Sequence, residues 1–365
     1  MTFFTFSWGH NWIAIRALLR VLGHDMEEPP TLNDATIRKG IDATAPFLCY
    51  SGKAVIGQLL DQLDMGRRNF VYLSSFGSEA CRCAGTGPFL ESLAQDRYQG
   101  LRWVRLGGNN GKESLEAMRA AFPGTSRSKH DRAFFVYFFK MGCIDSVERM
   151  SLRFRSLARE PGAITRLESR TLAKIDRRMN APMIWLAAFA HGFRLNALPK
   201  ARAKPRLRIG LVGGEHILSE LDFLMARIRN LADRGILLEW RSGFFAINRL
   251  ADKEHPAKGK ASLACLKEKC ADYLHEGPEG TEILTCAHAV SFAEEGFDGI
   301  LHVHAFGCLP QTAVLPALQR ISRDRKIPLL SLSVGDRLDL SSLDTRLEAF
   351  IDILLASGNR KEKNV

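Results

Sequence analysis

Between residues 205 and 357, four short apolar runs alternate with stretches of helical periodicity. The runs are LRIGLVGG, ILLEW, GILHVHAF and IPLLSLSV, and a glycine follows each within a few residues. Between them, Leu221, Leu224, Ile228 and Leu231 recur at helical spacing until Gly235. Ser219 with Asp222 resembles a capping box ahead of that helix. Further on, Thr345 and Glu348 form a T-x-x-E box, and Leu347, Phe350, Ile351 and Leu354 give one apolar face. Continuous apolar strands alternating with helices require a mostly parallel sheet covered on both sides. This restricts the C-terminal part of the chain to the α/β class.

The N-terminal part repeats the alternation less regularly. FFTFSW, NFVYLSSF and LRWVRLGG read as strands. Asn11 is placed to cap a helix carrying Trp12, Ile15, Leu19 and Leu22 on one face, with Gly23 ending it. Residues 111–204 read as helical and rich in arginine, broken mainly at Pro123–Gly124, Pro161–Gly162 and Pro182. The expected organisation is an α/β domain over 1–110, a basic helical segment over 111–204, an α/β domain over 205–357 and a disordered tail over 358–365. KARAKPR reads as the linker into the last domain.

A chain of 365 residues has room for two or three such units. No apolar run reaches membrane-spanning length. The opening MTFFTFSWGHNWIAIRALLRVLG lacks a basic stretch before its apolar part, and Arg16 and Arg20 interrupt it, so it reads as strand and helix rather than signal peptide. A cytoplasmic protein is expected. The formal charge of +11 is concentrated in 151–208, in SLRFRSLARE, TLAKIDRRMN and PKARAKPRLR. No nucleic-acid motif or aromatic interleaving accompanies it, so it reads as a solvated helical face with a basic linker.

Eight cysteines in this length are too sparse for a disulfide scaffold, and in a reducing compartment they would be thiols or metal ligands. Three stand beside apolar runs with glycines close by: Cys49 in FLCYSGK, Cys81 in SSFGSEACRCAGTG and Cys308 in LHVHAFGCLP. Cys81 and Cys308 each follow a strand-like run, and Cys49 opens the helical stretch GKAVIGQLLDQL. Strand ends and helix starts are where α/β proteins hold ligands and anionic centres. Three thiolates brought together there could hold a metal centre and leave one coordination position open.

The remaining motifs have plainer readings. Cys143, beside FFVYFFK, reads as a small buried hydrophobe. GLVGGEH follows a strand but is neither G-x-G-x-x-G nor a P-loop, so a tight turn is preferred to a phosphate cradle. His302 and His304 lie two apart on a strand and share one side, as core or supporting histidines rather than zinc ligands with Cys308. Cys265 and Cys270 in CLKEKC are too unevenly spaced to share one helix face squarely. They read as an exposed or partner-facing pair, with a second metal site using Cys286 as the alternative. No G-x-S-x-G appears, and no pair of carboxylates can be singled out.

Three segments together resemble the 2-hydroxyacyl-CoA dehydratase and benzoyl-CoA reductase superfamily, and within it the acyl-CoA dehydratase activase-related branch. They are LCYSGKAVIGQLLDQLDMG, SSFGSEACRCAGTG, and GFDGILHVHAFGCLPQTAVLPALQRISRDRKIPLLSLSVGDRLDLSSLDTRLEAFID. The resemblance covers both ends of the chain and leaves the basic middle unplaced. It implies two Rossmann-like parallel-sheet domains flanking the helical segment, with an iron–sulfur cluster in the cleft between them. Carried over by position, Cys49, Cys81 and Cys308 would be its ligands, holding a 4Fe–4S cubane with one iron open; some relatives join two cubanes into a double cluster. It further implies low-potential electron transfer or reductive chemistry on an acyl-CoA or similar small substrate, as in anaerobic metabolism. Electrons would come from a separate ATP-hydrolysing activator protein, and the chain would belong to a homo- or hetero-oligomer. Whether it is itself a dehydratase or reductase component is left open; a non-catalytic subunit docking onto a dehydratase, reductase or activase is the alternative.

Three departures bear on that expectation. Pro310–Gln311 stands where the family often has Pro-Glu, and Gly335–Asp336–Arg337 where an acidic pair is usual. Cys83 occupies a position that is not normally cysteine. As a fourth ligand Cys83 would close the cluster and confine it to electron transfer.

Overall fold

The computed structural model describes the chain except for residues 1, 74–90, 93–94, 97, 107–110, 215–217, 219–221, 244, 247–261, 276–279, 337–339 and 363–365. The chain is of the α/β class, with parallel sheets and covering helices.

The N-terminal part runs β1 (Thr2–Phe3), α1 (Trp12–Leu22), β2 (Asp25–Met26), α2 (Asp34–Asp42), α3 (Tyr50–Asp64), β3 (Asn69–Leu73) and β4 (Arg102–Leu106). β1 pairs with β2 and β3 with β4, both parallel. A parallel bridge between Phe4 and Phe70 links the two pairs. It is held by Phe4 N–H donating to the Asn69 carbonyl at 2.9 Å and Val71 N–H to the Phe4 carbonyl at 2.9 Å. The resulting order is β2-β1-β3-β4.

The middle of the chain is α4 (Gly111–Ala121), α5 (Arg127–Arg155), α6 (Pro161–Arg177) and α7 (Ala181–Ala197). These helices do not form a separate body. Val136, Tyr137, Ile144 and Val147 of α5, with Leu172 and Ile175 of α6, lie in one apolar cluster with Phe3, Phe4, Phe70 and the α1 face. The basic residues face acids in several places: Arg16 with Asp176 at 2.7 Å, Arg155 with Asp233 at 3.0 Å and Arg119 with Asp131 at 2.7 Å.

The C-terminal part comprises β5 (Leu207–Gly213), α8 (Asp222–Asp233), β6 (Ile236–Trp240), α9 (Leu263–Cys270), α10 (Thr281–Glu294), β7 (Gly299–Ala305), α11 (Leu309–Asp324), β8 (Leu329–Val334) and α12 (Leu340–Glu362). Its sheet is wholly parallel in the order β6-β5-β7-β8. β7 is buried along its whole length, as a central strand covered on both faces should be.

Several local expectations change. Asn11 does stand at the start of α1, but its side chain does not cap the helix; its amide lies 3.4 Å from the Trp8 carbonyl instead. Gly23 ends α1 in the left-handed conformation, as anticipated. Thr345 is not an N-cap: α12 already begins at Leu340, and the Thr345 hydroxyl donates back to the Ser341 carbonyl at 2.9 Å. Glu348 instead pairs with Arg234. α12 extends to Glu362, and residues 363–365 of the expected tail lie outside the described residues. Ser219 lies outside the described residues. Gly213, with φ 136°, sits where a Cβ would be 1.9 Å from the Val303 carbonyl oxygen, which supports the tight-turn reading of GLVGGEH up to Gly214.

Candidate functional site

α3 is buried on nearly every side, which an amphipathic surface helix is not. Val55, Ile56, Leu59 and Leu63 pack into the N-terminal core, while Tyr50 joins the core of the C-terminal sheet. The helix is therefore wedged between the two sheets. Gly40 of α2 and Gly57 of α3 fix its position: a Cβ on either would lie 1.9–2.0 Å from a carbonyl oxygen of the other helix. The backbones touch there, so α3 cannot slide without losing that contact.

The N-cap of α3 is Cys49, and the N-cap of α11 is Cys308. Neither side chain caps its own helix. The two caps meet. Tyr50 N–H donates to the Phe306 carbonyl at 3.0 Å. Gly307, at φ 77°, lies so close that a Cβ would sit 3.2 Å from Cys49 Cα. The glycine of F-G-C thus serves two purposes: it permits the left-handed turn and lets the Cys308 loop rest on Cys49. Two cysteines distant in sequence stand at two helix starts, where the helix dipoles favour negative charge.

Cys81 and Cys83 lie outside the described residues. The chain position of Cys81 is nevertheless informative: it follows β3, as Cys308 follows β7, and each strand is third in its sheet's chain order.

Three exposed apolar side chains stand next to the two cysteines in sequence. Phe47 is 73% exposed, Phe306 61% and Leu309 44%. Each lies within two residues of Cys49 or Cys308.

Behind the pair, Lys53 of α3 is 1% exposed and its ammonium is bonded to the Asp336 carboxylate just beyond β8, with the Pro46 carbonyl at 3.4 Å. A buried ammonium needs such a partner. Asp336 therefore ties the C-terminal sheet to the helix that carries Cys49. Burial, with the charges of Asp336 and Asp34, pushes the Tyr50 hydroxyl up to about 12, so it stays protonated.

Beneath Cys308 lies a buried polar network. Gln311 is wholly buried. Its Oε1 accepts from His302 Nε2–H at 3.2 Å and from the Thr285 hydroxyl at 3.1 Å, and its Nε2 donates to the Thr281 hydroxyl at 3.0 Å. His302 Nδ1 then accepts from the Ser331 hydroxyl at 3.0 Å. Burial, with neighbouring His304, pushes His302 down to about 3 despite the Gln311 bond, so the ring is neutral. The His302 and His304 rings stack at 4.7 Å. Both ring nitrogens of His302 are occupied within the protein, so it supports the α11 start and is not placed to ligate.

The CLKEKC cysteines separate. Cys265 is half-buried, whereas Cys270 is 1% exposed, so the exposed-pair reading fails for Cys270. Its thiol lies 3.6 Å from the Ile283 carbonyl and hydrogen-bonds the wholly buried Cys286. That bond and burial raise the Cys286 thiol, which keeps it a neutral thiol rather than a thiolate ligand. Cys143 is buried, and burial pushes its thiol up to about 11, consistent with a packing role. Among the described residues no group of three or more His, Cys, Asp and Glu side chains is arranged to hold a metal ion. The pair at the helix starts contributes two, and Cys81 lies outside that set.

The chain matches no protein-family model and no curated protein. Among the described residues no helix is long and apolar enough to cross a membrane.

Proposed function

We propose that this chain is an iron–sulfur protein of the 2-hydroxyacyl-CoA dehydratase type. One observation carries the reading: Cys49 and Cys308 meet at the N-caps of two helices, one from each end of the chain. The donor chemistry suits the group, because cluster irons take thiolate ligands and an anionic cluster is favoured at helix starts. Cys49 and Cys308 would hold it with Cys81 as third ligand. The two sheets, with the same strand order, would be two Rossmann-like units with the cluster in the cleft between them. When bound, a three-thiolate cubane supplies low-potential electron chemistry at one open iron, here on an acyl-CoA or similar small substrate after reduction by an ATP-hydrolysing activator. The protein's own part is to keep both cysteines at the helix starts, through Gly307 and the Lys53–Asp336 pair. Iron and acid-labile sulfide analysis of anaerobically purified and reconstituted protein tests the reading. Absence of both in every preparation would remove it.

A separate observation favours a second reading, a subunit that docks onto a larger dehydratase, reductase or activase. α7 exposes Trp185 by 52%, Phe189 by 48% and Phe193 by 65% at one-turn intervals. Their rings pack in sequence, with centroids 4.7 and 4.9 Å apart. Under this reading the chain forms a stable larger complex and shows no turnover alone. Light scattering of the purified protein, alone and with candidate subunits, decides it.

A further inference from the structure

α5 and α7 lie side by side, and an open groove of about 500 Å³ runs between them. Gly142 and Ser146 of α5 and Ala188 and Gly192 of α7 line it, together with the aromatic ladder of α7. Gly192 admits the close approach of the helices: a Cβ there would lie 3.2 Å from Met150 Sδ. Their spacing is held by His191, which is wholly buried. The Ser151 hydroxyl of α5 donates to His191 Nε2 at 2.9 Å, and His191 Nδ1–H donates to the Thr171 hydroxyl of α6 at 3.1 Å. The Thr171 proton is itself given to the Leu167 carbonyl at 2.8 Å, which fixes that direction. α7 is thus bonded to both neighbouring helices, and the groove is set by those bonds.

The surface around the groove is apolar over a long stretch. Between Arg178 and Arg194 the sequence has no Asp, Glu, Lys or Arg. Met183 and Leu186 add exposed area beside the ladder. On α5, Phe135 and Phe139 precede Gly142 and Ser146 at helical spacing, so they extend the same row, and their rings stack at 5.7 Å. A continuous exposed patch of this kind marks a contact surface. The charges at its margins have one sign. Arg177 and Arg178 precede α7, and Arg194 and Lys200 stand at and after its end, all four exposed. The only acids over 161–208 are Glu168, buried against Arg229, and Asp176, paired with Arg16. Neither is free to offset that charge.

Shape and charge together choose the occupant. A second copy of the chain would set like against like. Basic residues stand at both ends of α7, so pairing in either direction brings arginine against arginine. An anionic bilayer would meet the charge, but it is flat and the groove is concave. From Trp185 to Asn196 the groove follows α7 for about 17 Å, or three turns. Over that length a helix presents apolar anchors at i, i+3, i+4 and i+7, and small residues in a groove let its ridge settle between two others. We propose that the groove between α5 and α7 receives an amphipathic helix of a partner protein. Its apolar face lies against the aromatic ladder, and acidic residues near its two ends face Arg177 and Arg178 at one side and Arg194 and Lys200 at the other. The inference rests on the docking reading above and names the chemistry of the partner; it does not involve the cysteine pair.

Tryptophan emission of the full chain tests the proposal, because Trp185 is 52% exposed whereas Trp8, Trp12 and Trp240 are each 8% exposed. The probes are a leucine-faced helical peptide of about four turns with glutamates near both ends, its twin with lysines in their place, and phosphatidylglycerol vesicles. Neither peptide carries an aromatic residue. The glutamate peptide should bind and shift the emission to the blue, and the lysine twin should bind at least tenfold more weakly. Arg194→Glu should weaken the glutamate peptide at least tenfold, and Phe189→Ser should abolish its binding; both positions are exposed, so both variants should unfold like the parent. No shift with either peptide, or equal binding of the two, would overturn the proposal. So would a shift with vesicles alone, which would make the face a membrane surface, or self-association that Phe189→Ser abolishes, which would make it a dimer face. A stable complex with a candidate subunit that Phe189→Ser leaves intact would overturn this inference and keep the docking reading. Peptide binding without any such complex would do the reverse.

Discussion

The two sheets reach the same strand order by different means. In the C-terminal sheet, β5 and β7 run seven residues each and pair continuously, with aliphatic side chains such as Ile209, Leu211, Ile300 and Val303 filling the core. In the N-terminal sheet, β1 and β2 have two residues each, and a single bridge joins them to β3. Aromatic packing takes over there: Phe70 lies 5.0 Å from both Phe4 and Phe6 and 4.7 Å from Trp103, ring centre to ring centre. A short ladder thus holds its place through large buried rings, which bury more area per residue than aliphatic chains. In chain order a cysteine follows the third strand of each sheet, and Cys49 starts α3.

If aromatic packing replaces backbone pairing in the first sheet, Phe70→Ala is the most damaging change. It should cost about 3–5 kcal/mol. Amides of Phe4 and Val71 should lose hydrogen-exchange protection together, while those of β5 and β7 keep theirs. Equal loss in both sheets would mean that the two are not energetically distinct.

The tie between the sheets is probed next. Asp336→Ala leaves Lys53 buried and unpaired, and should cost about 2–3 kcal/mol after allowing for the one-third exposure of Asp336. Lys53→Met with Asp336→Ala should recover most of that loss in denaturant unfolding. A double variant as unstable as Asp336→Ala alone would place the cost elsewhere.

The second sheet should carry its own acid sensitivity. The folded pKa of His302, about 3, lies below the ordinary histidine value of about 6.5. Between those values the unfolded chain binds the proton and the folded one does not, so stability falls as pH is lowered through that window. The slope from this group approaches about 1.4 kcal/mol per pH unit. His302→Gln should flatten the profile between pH 6 and 4, as read by urea unfolding at each pH. An unchanged slope would show that His302 already protonates in the folded state.

Gly307→Ala should have the smallest effect on stability, about 1–2 kcal/mol, the usual cost of a left-handed non-glycine residue. Its effect on the cysteine pair should be larger, because the added methyl meets the Cys49 backbone. Iron retention after reconstitution should drop by more than the stability loss explains. Unchanged retention would separate the glycine from the site.

Much of this was legible from local pattern. Among the described residues, seven of the eight strands overlap apolar runs, because buried strands leave a dense local signal. β2 was missed, since two residues carry no periodicity. The start of α12 was misplaced because T-x-x-E also occurs inside helices, where Thr345 bonds back to Ser341. The cysteines at the two helix starts stood out from their glycine-rich flanks. What holds them did not: Lys53 and Asp336 are 283 residues apart, and nothing local marks either as a partner.

Under the proposed function, Cys49, Cys81 and Cys308 form one metal centre. Iron and sulfide content of the anaerobically reconstituted protein, with Cys49→Ala, Cys81→Ala, Cys308→Ala and Cys83→Ala alongside, tests it most directly. About four irons per chain, or about eight for a double cluster, are expected, lost in the first three variants and kept in Cys83→Ala. Iron retained in Cys49→Ala or Cys308→Ala, or absent from every preparation, would contradict it.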